Sequence, residues 1–338
     1  MLEDYAKIFN QKKMFLRYNG LQIAFFEKLE GIEVVGKVVE KWHLFNHYFN
    51  EFKYHIYSAY YILEQLEQLE KAILDQFNEL KSFIEFQNEI KIEYDSFIVH
   101  EYLLRITPFL NTMFILQDRL MVLIAIFLGI NINDPAQKVS ESNKDYKYRI
   151  KKFRNKMQSF SSYATNYCGI LKEFPVELSD LIIGYWNFSG QELRKYRNLE
   201  QHQFNLLEEA YIVKIPMERF VLYLPDNPNE ENFEKLIYNK KKIAIEYFKS
   251  EIKIFHDFVE KMMETIGIAP KKHKFGSNFS PKSNLIRNYN QGDLLKIWAL
   301  KNEAILFSVG EKSPDGTAAR IIIRKIKNKM NILKWEIK

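Results

Sequence analysis

Three residues that can act on a phosphodiester stand close together in the run Arg197-Asn198-Leu199-Glu200-Gln201-His202. A guanidinium holds a phosphate through two parallel hydrogen bonds, and an imidazole moves a proton near neutral pH. The Asn198 amide adds a neutral donor and acceptor. These are the groups that cleavage of a phosphodiester without a metal requires. On a helix, residues four apart lie within about 40° of one another and residues five apart about 140°. Asn198 and His202 therefore share a face that Arg197 flanks, within reach of the same pocket. Arg followed five residues later by His is a weak signal by itself. The Asn after the Arg sharpens it, since Arg154-Asn155 and Arg287-Asn288 have no His at the matching distance.

The surrounding pattern places these residues on a helix. Ser189 and Glu192 fit a capping box, so a helix is expected to begin there and run to about Glu209. Before it, Ile62, Leu66, Leu69, Ile73, Phe77, Leu80 and Ile84 form an apolar stripe at spacings of four and three, with Glu64, Glu67, Glu70 and Lys71 off it. A second, more buried helix is expected over 93–130, with a kink at Pro108. A third, with a basic start, is expected over 144–170, and a short segment from Pro175 to about Trp186. After the motif the period changes: Tyr211–Ile215 and Arg219–Leu224 read as a β-hairpin closed by Pro225. A last helix from about Lys241 to Ile266 puts Ile245, Phe248, Ile252, His256, Val259 and Met263 on one face. Residues 270–291 read as a linker, and four short strands are expected beyond it, with a turn at Ser313-Pro314-Asp315-Gly316.

Composition narrows the class. With 12 Gly and 9 Pro in 338 residues, a turn-rich all-β fold is disfavoured. One cysteine, Cys168, leaves no internal disulfide framework and suits a reducing compartment. Met1-Leu2-Glu3-Asp4 does not open a secretory signal. The greasiest run, 120–130, falls short of the roughly 20 residues of a bilayer span. A soluble, cytoplasmic protein without a membrane partner is expected. The net charge of +6 is uneven: residues 271–338 carry 15 Lys or Arg against 5 Asp or Glu, and the rest carry 34 against 38. Such a tail attracts polyanions.

Arg197-Asn198 with His202, late in a mainly helical chain, resembles the signature of the HEPN superfamily of ribonucleases, over roughly residues 93–268. The fold expected is thus mainly α: a HEPN-like bundle in 1–270, with residues 1–90 as a helical extension and 211–225 as a β-hairpin insertion. A basic linker and small β-rich module make up 271–338. The resemblance implies RNA cleavage without metal or cofactor, by attack of the ribose 2′-OH. His202 would be the acid–base group, Arg197 would stabilise phosphate charge, and Asn198 would orient the phosphate or the imidazole. It also implies a homodimer with facing motifs, a regulator or antitoxin protein as a possible partner, and a toxin or antiviral defence role. Many members carry Tyr two residues after the His; Phe204 stands there, keeping a ring without the hydroxyl. The alternative is a non-catalytic module holding a nucleotide or RNA in the same pocket. A third reading is an interaction protein docking through the 66–77 stripe.

Asp118 and Glu101, on the helix before the motif, could orient His202 or serve as ordinary ion pairs. His43 and His47 have metal-ligand spacing, yet their neighbours Trp42, Leu44, Phe45 and Tyr48 suit a core. His256, Asp257 and Glu260 read as a packed or solvated face, and Cys168 as a buried small residue. In the tail, Arg320, Arg324, Lys325 and Lys327 interleave with isoleucines. They suit either RNA phosphates, with Tyr289, Trp298 and Trp335 for stacking, or a guarded edge strand.

Overall fold

The computed structural model describes residues 35–80, 88–92, 97–130, 141–203, 209–214, 217–230 and 232–270, with short pieces at 17–28 and 137–138. In the tail it describes 295–299, 304–309, 319–326 and 329–337. Helix makes up 75% of these residues, beside a small four-stranded antiparallel sheet, so the protein is mainly α. The chain divides into two compact units, one of Leu44–Gly267 and one of Leu2–His43 with Ile268–Lys338.

Helix α1 (Val35–Leu80) is longer than its stripe alone suggests. From Leu44 on it buries Phe45, Phe49, Phe52, Ile56, Ala59, Leu63 and Leu66 at alternating steps of four and three, and Ile73 two turns further on. Helix α2 (Phe97–Leu128) runs antiparallel to it: Tyr102 donates to Glu70 at 2.9 Å near one end, and Arg119 pairs with Glu51 at 2.6 Å near the other. α2 runs on through Pro108. Pro108 is exposed, as is Leu104, whose carbonyl loses its usual donor, so the freed acceptor lies on the solvent side. Among the described helices α2 is the one long and apolar enough to cross a membrane, and 67% of its most apolar window is buried inside the protein.

The expected helix over 144–170 breaks into three pieces: α3 (Asn143–Met157), α4 (Phe160–Ala164) and a tight turn of helix at Tyr167–Glu173. α3 is capped by Ser142, whose Oγ accepts the Asp145 amide at 3.1 Å and donates to the Asp145 carboxylate at 2.6 Å. Asn166 separates the last two pieces in a left-handed conformation (φ 52°) and takes the Leu171 amide on its side chain at 2.9 Å.

The capping box at Ser189 is not a helix start. Helix α5 (Val176–Tyr185) continues through a wider π-turn at Trp186–Gly190 into α6 (Gln191–Gln203). The backbone amides at Ser189 are already satisfied, which frees its hydroxyl to donate to the buried carboxylate of Glu251, while Glu192 pairs with Lys242 at 3.0 Å. Close approach explains Gly190: a Cβ there would sit 2.8 Å from the Tyr185 ring and 3.4 Å from Gln117 Nε2. α6 ends at Gln203 within the described residues, and Glu209 lies outside it.

The hairpin consists of β2 (Ala210–Val213) and β3 (Arg219–Leu224), with Ile212 opposite Phe220. Two strands too short to show a period complete the sheet: β1 (Glu89–Lys91) beside β2, and β4 (Lys242–Ile243) beside β3. On one face Val213, Val221 and Tyr223 form a small core with Tyr211, Tyr238 and Ile243. On the other, Phe220 meets the Tyr102 ring edge-on at 5.2 Å. Helix α7 (Ala244–Thr265) buries every residue of its expected face, and stacks Tyr185 on Phe258 at 4.2 Å.

In the second unit β5 (Leu295–Ala299), β6 (Ala304–Val309), β7 (Ala319–Ile326) and β8 (Lys329–Ile337) pair in sequence order as an antiparallel meander. A register shift falls between Ile322 and Ile323. The linker at 271–291 and the turn at 313–316 lie outside the described residues.

Candidate functional site

The motif sits on α6, which lies antiparallel along α2, and polar side chains cross between the two helices at three levels. At the first, Arg194 donates through Nε to Gln117 at 2.8 Å and through Nη2 to Asp118 at 2.5 Å. Its guanidinium carbon lies 3.9 Å from the centre of the Phe114 ring and 5.5 Å from that of Trp186. Gln117 donates in turn to the Tyr185 hydroxyl at 2.9 Å. At the second level, Arg197 donates through Nε to Asn111 at 3.0 Å and through Nη1 to Asn198 at 3.2 Å, and its guanidinium carbon lies 4.7 Å from the centre of the same Phe114 ring. At the third, Thr107 donates to Glu200 at 2.8 Å.

Spacing of three along α6 carries Arg194, Arg197 and Glu200 down the side facing α2. Leu199 and Glu200 are buried, Arg197 is half-buried and Asn198 is exposed. The backbone of His202 is helical and lies one turn beyond Asn198, as the motif requires. The His202 side chain and the whole of Phe204 lie outside the described residues.

The electrostatics separate the two arginines. Burial pushes Arg194 below the usual arginine range, and Asp118 opposes that shift by charge and by hydrogen bond. Arg197 is lowered by burial and then by the neighbouring Arg194 charge, with a smaller opposing pull from the Asp118 carboxylate. Both remain cations at any physiological pH. Yet Arg197 makes no ion pair with a carboxylate among the described residues, and its two hydrogen-bonded partners are neutral amides. A half-buried guanidinium with no carboxylate ion pair among the described residues can receive an anionic oxygen.

Of the supporting candidates, Asp118 accepts from Arg194 and from the Phe160 amide at 2.7 Å, and Glu101 pairs with Arg105 on its own helix at 3.2 Å. Arg320, Arg324 and Lys325 lie on β7, and Lys327 lies outside the described residues. His47 pairs with Glu51 at 3.2 Å, while the His43 and Cys168 side chains are not among the described ones. His256 is buried and stacks on Tyr60 at 5.7 Å. Among the described residues no group of three or more His, Cys, Asp and Glu is arranged to hold a metal ion.

Asn111 and Phe114, which hold Arg197, are absent from the sequence reading. A polar amide amid the mainly apolar residues 109–116 was the available signal for the first; the Phe had none. Arg194, three residues before Arg197, was visible only as a helix neighbour. Compared with protein-family models, with curated proteins and with solved structures, the chain matches none.

Proposed function

We propose that this protein is a metal-independent endoribonuclease of HEPN type. The observation that carries the reading is the half-buried Arg197 guanidinium, aimed by Asn111 and Asn198 and left without a carboxylate partner among the described residues. A phosphate supplies the missing negative charge through the geometry a guanidinium favours.

In the reaction the ribose 2′-oxygen forms a bond to phosphorus and the bond from phosphorus to the 5′-oxygen breaks. His202 takes the proton from the 2′-hydroxyl or delivers one to the leaving oxygen, with its counterpart from a second subunit or solvent. Arg197 neutralises the charge that grows on the non-bridging oxygens, and Asn198 orients the phosphate. The products carry a 2′,3′-cyclic phosphate, and DNA is inert for want of the attacking hydroxyl. The same reading makes the protein a cytoplasmic homodimer with paired motifs, in a toxin or antiviral defence role under a regulator or antitoxin. It also gives the basic tail, through Arg320, Arg324, Lys325 and Lys327, an accessory grip on RNA.

The test is cleavage of a mixed RNA pool in excess EDTA by the wild type and by His202→Ala. The expected result is cleavage that EDTA leaves intact, cyclic phosphate ends, and loss of both in the variant. RNA bound but uncut by the wild type would instead establish a non-catalytic nucleotide- or RNA-binding module built on the same pocket.

A further inference from the structure

Helix α3 carries seven basic residues against one acidic, Asp145, which its cap consumes. Only Ile150 and Met157 are buried; Lys144, Lys147, Lys151, Lys152, Arg154 and Lys156 are all exposed. None of the lysines among them makes an ion pair within the described residues, and Arg149 is spent on Glu141 at 2.7 Å. Six like charges along about four turns of helix repel one another, an arrangement that a bound polyanion relieves.

The surface beside α3 is shaped as well as charged. A hollow of about 590 Å³ is bordered by Lys151, Lys152 and Lys156, by the rings of Tyr148 and Tyr167, and by small hydroxyl residues from Ser159 to Thr165. A second hollow of about 460 Å³ shares Lys151 and Asn155 with it and adds Lys147 and Arg154. Among the described residues no carboxylate borders either one. Tyr167 lies under the Lys156 ammonium at 4.5 Å, and Tyr148 is 69% exposed, with its ring open for stacking.

We infer that the α3 face is a binding site for a single strand of RNA. Phosphates lie along Lys147, Lys151, Lys152 and Lys156, bases stack on Tyr148 and Tyr167, and the hydroxyls and Asn155 contact the sugars. Two joined hollows suit a strand, because a lone nucleotide would occupy one and leave Lys147 and Arg154 unused. An anionic membrane is disfavoured, since a helix lying in a bilayer surface needs a free apolar face and this one buries its own. The site is also tied to the motif. Phe160, between the hydroxyl residues of the first hollow, donates its amide to Asp118, which holds Arg194 one helical turn from Arg197. The choice of RNA over other polyanions rests on the ribonuclease reading above; the charged, aromatic-edged hollows do not depend on it.

The experiment measures binding of a labelled 12-nucleotide oligouridylate to the full chain carrying His202→Ala, which keeps the RNA intact. That background is compared with the same chain carrying Lys151→Glu, Lys152→Glu and Lys156→Glu, and separately with Tyr148→Ala. All four residues are exposed, and circular dichroism checks that the fold is kept. The triple variant should bind at least tenfold more weakly and flatten the slope of log affinity against log salt by about two. Tyr148→Ala should weaken binding by about fivefold and leave that slope unchanged. Unchanged affinity and slope in the triple variant would overturn the site. Polyglutamate bound as tightly as RNA, and lost in the same variant, would overturn RNA in favour of an acidic protein partner. Failure of the wild type to cleave, with this binding intact, would count against the nuclease and leave the site standing.

Discussion

Two arginines three residues apart on α6 live in different electrostatic worlds. Around Arg194 every charge is answered: it is 8% exposed, Asp118 and Gln117 take its donors, and Phe114 and Trp186 cover its faces. Around Arg197 the partners are amides and one ring, and the guanidinium is half in solvent. The same side chain is thus a structural tie at one level and, a turn later, the centre of the proposed anion site. Counter-charge, not residue type, separates the two roles. Phe114 touches both, so the site borrows its rigidity from the tie.

The contrast is broken most directly by removing each arginine in turn. Arg194→Ala strands the Asp118 carboxylate and should cost about 3–5 kcal/mol of stability, read from the denaturant midpoint. Arg197→Ala should cost less than about 1 kcal/mol there, yet slow RNA cleavage by about 100- to 1,000-fold. If the two variants were equally stable, the assignment of distinct roles would fail.

The pH dependence of stability sharpens the comparison, because the Arg194 end adjoins an acid whose hold on its proton is raised by burial. Burial lifts Glu251, bonded to Ser189 in the π-turn, from 4.5 to about 7. The folded protein therefore holds this proton more tightly than the unfolded chain. The stability it contributes is complete below about pH 4.5 and is lost as the pH rises toward 7. Glu70, also lifted to about 7 by burial, adds to the same decline. Glu251→Gln should recover on the order of 2 kcal/mol at pH 8 relative to pH 5. Arg197→Ala should keep the wild-type pH dependence, measured by thermal unfolding across that range.

The smallest effect joins the two ends. Phe114→Leu removes a ring from both guanidinium groups while keeping apolar volume, and should cost about 1 kcal/mol of stability. It should also lower cleavage by several-fold by loosening Arg197. A change in stability alone would mean that Phe114 serves only Arg194.

Much of the scaffold was legible because burial writes its period into the chain. The stripe of α1, the long apolar α2 and the face of α7 each repeat over several turns, and β2 and β3 stand out as short apolar runs. Where a few residues decide the backbone, local pattern misled. Ser189 and Glu192 have the spacing of a cap, but a buried carboxylate on α7 and the close approach of Gly190 to Tyr185 keep the helix running through a π-turn. The edge strands β1 and β4, of 3 and 2 residues, exist only because the hairpin offers them unpaired backbone.

By itself the sequence determined the helical class, the motif Arg197, Asn198 and His202, and the basic character of α3 and the tail, because residue type, spacing and charge are local properties. Only the tertiary structure decided which arginine pairs directly with Asp118 and which makes no carboxylate ion pair among the described residues. That choice depends on how α6 lies across α2, where residues 76 to 86 positions apart meet, and no local pattern encodes such a register.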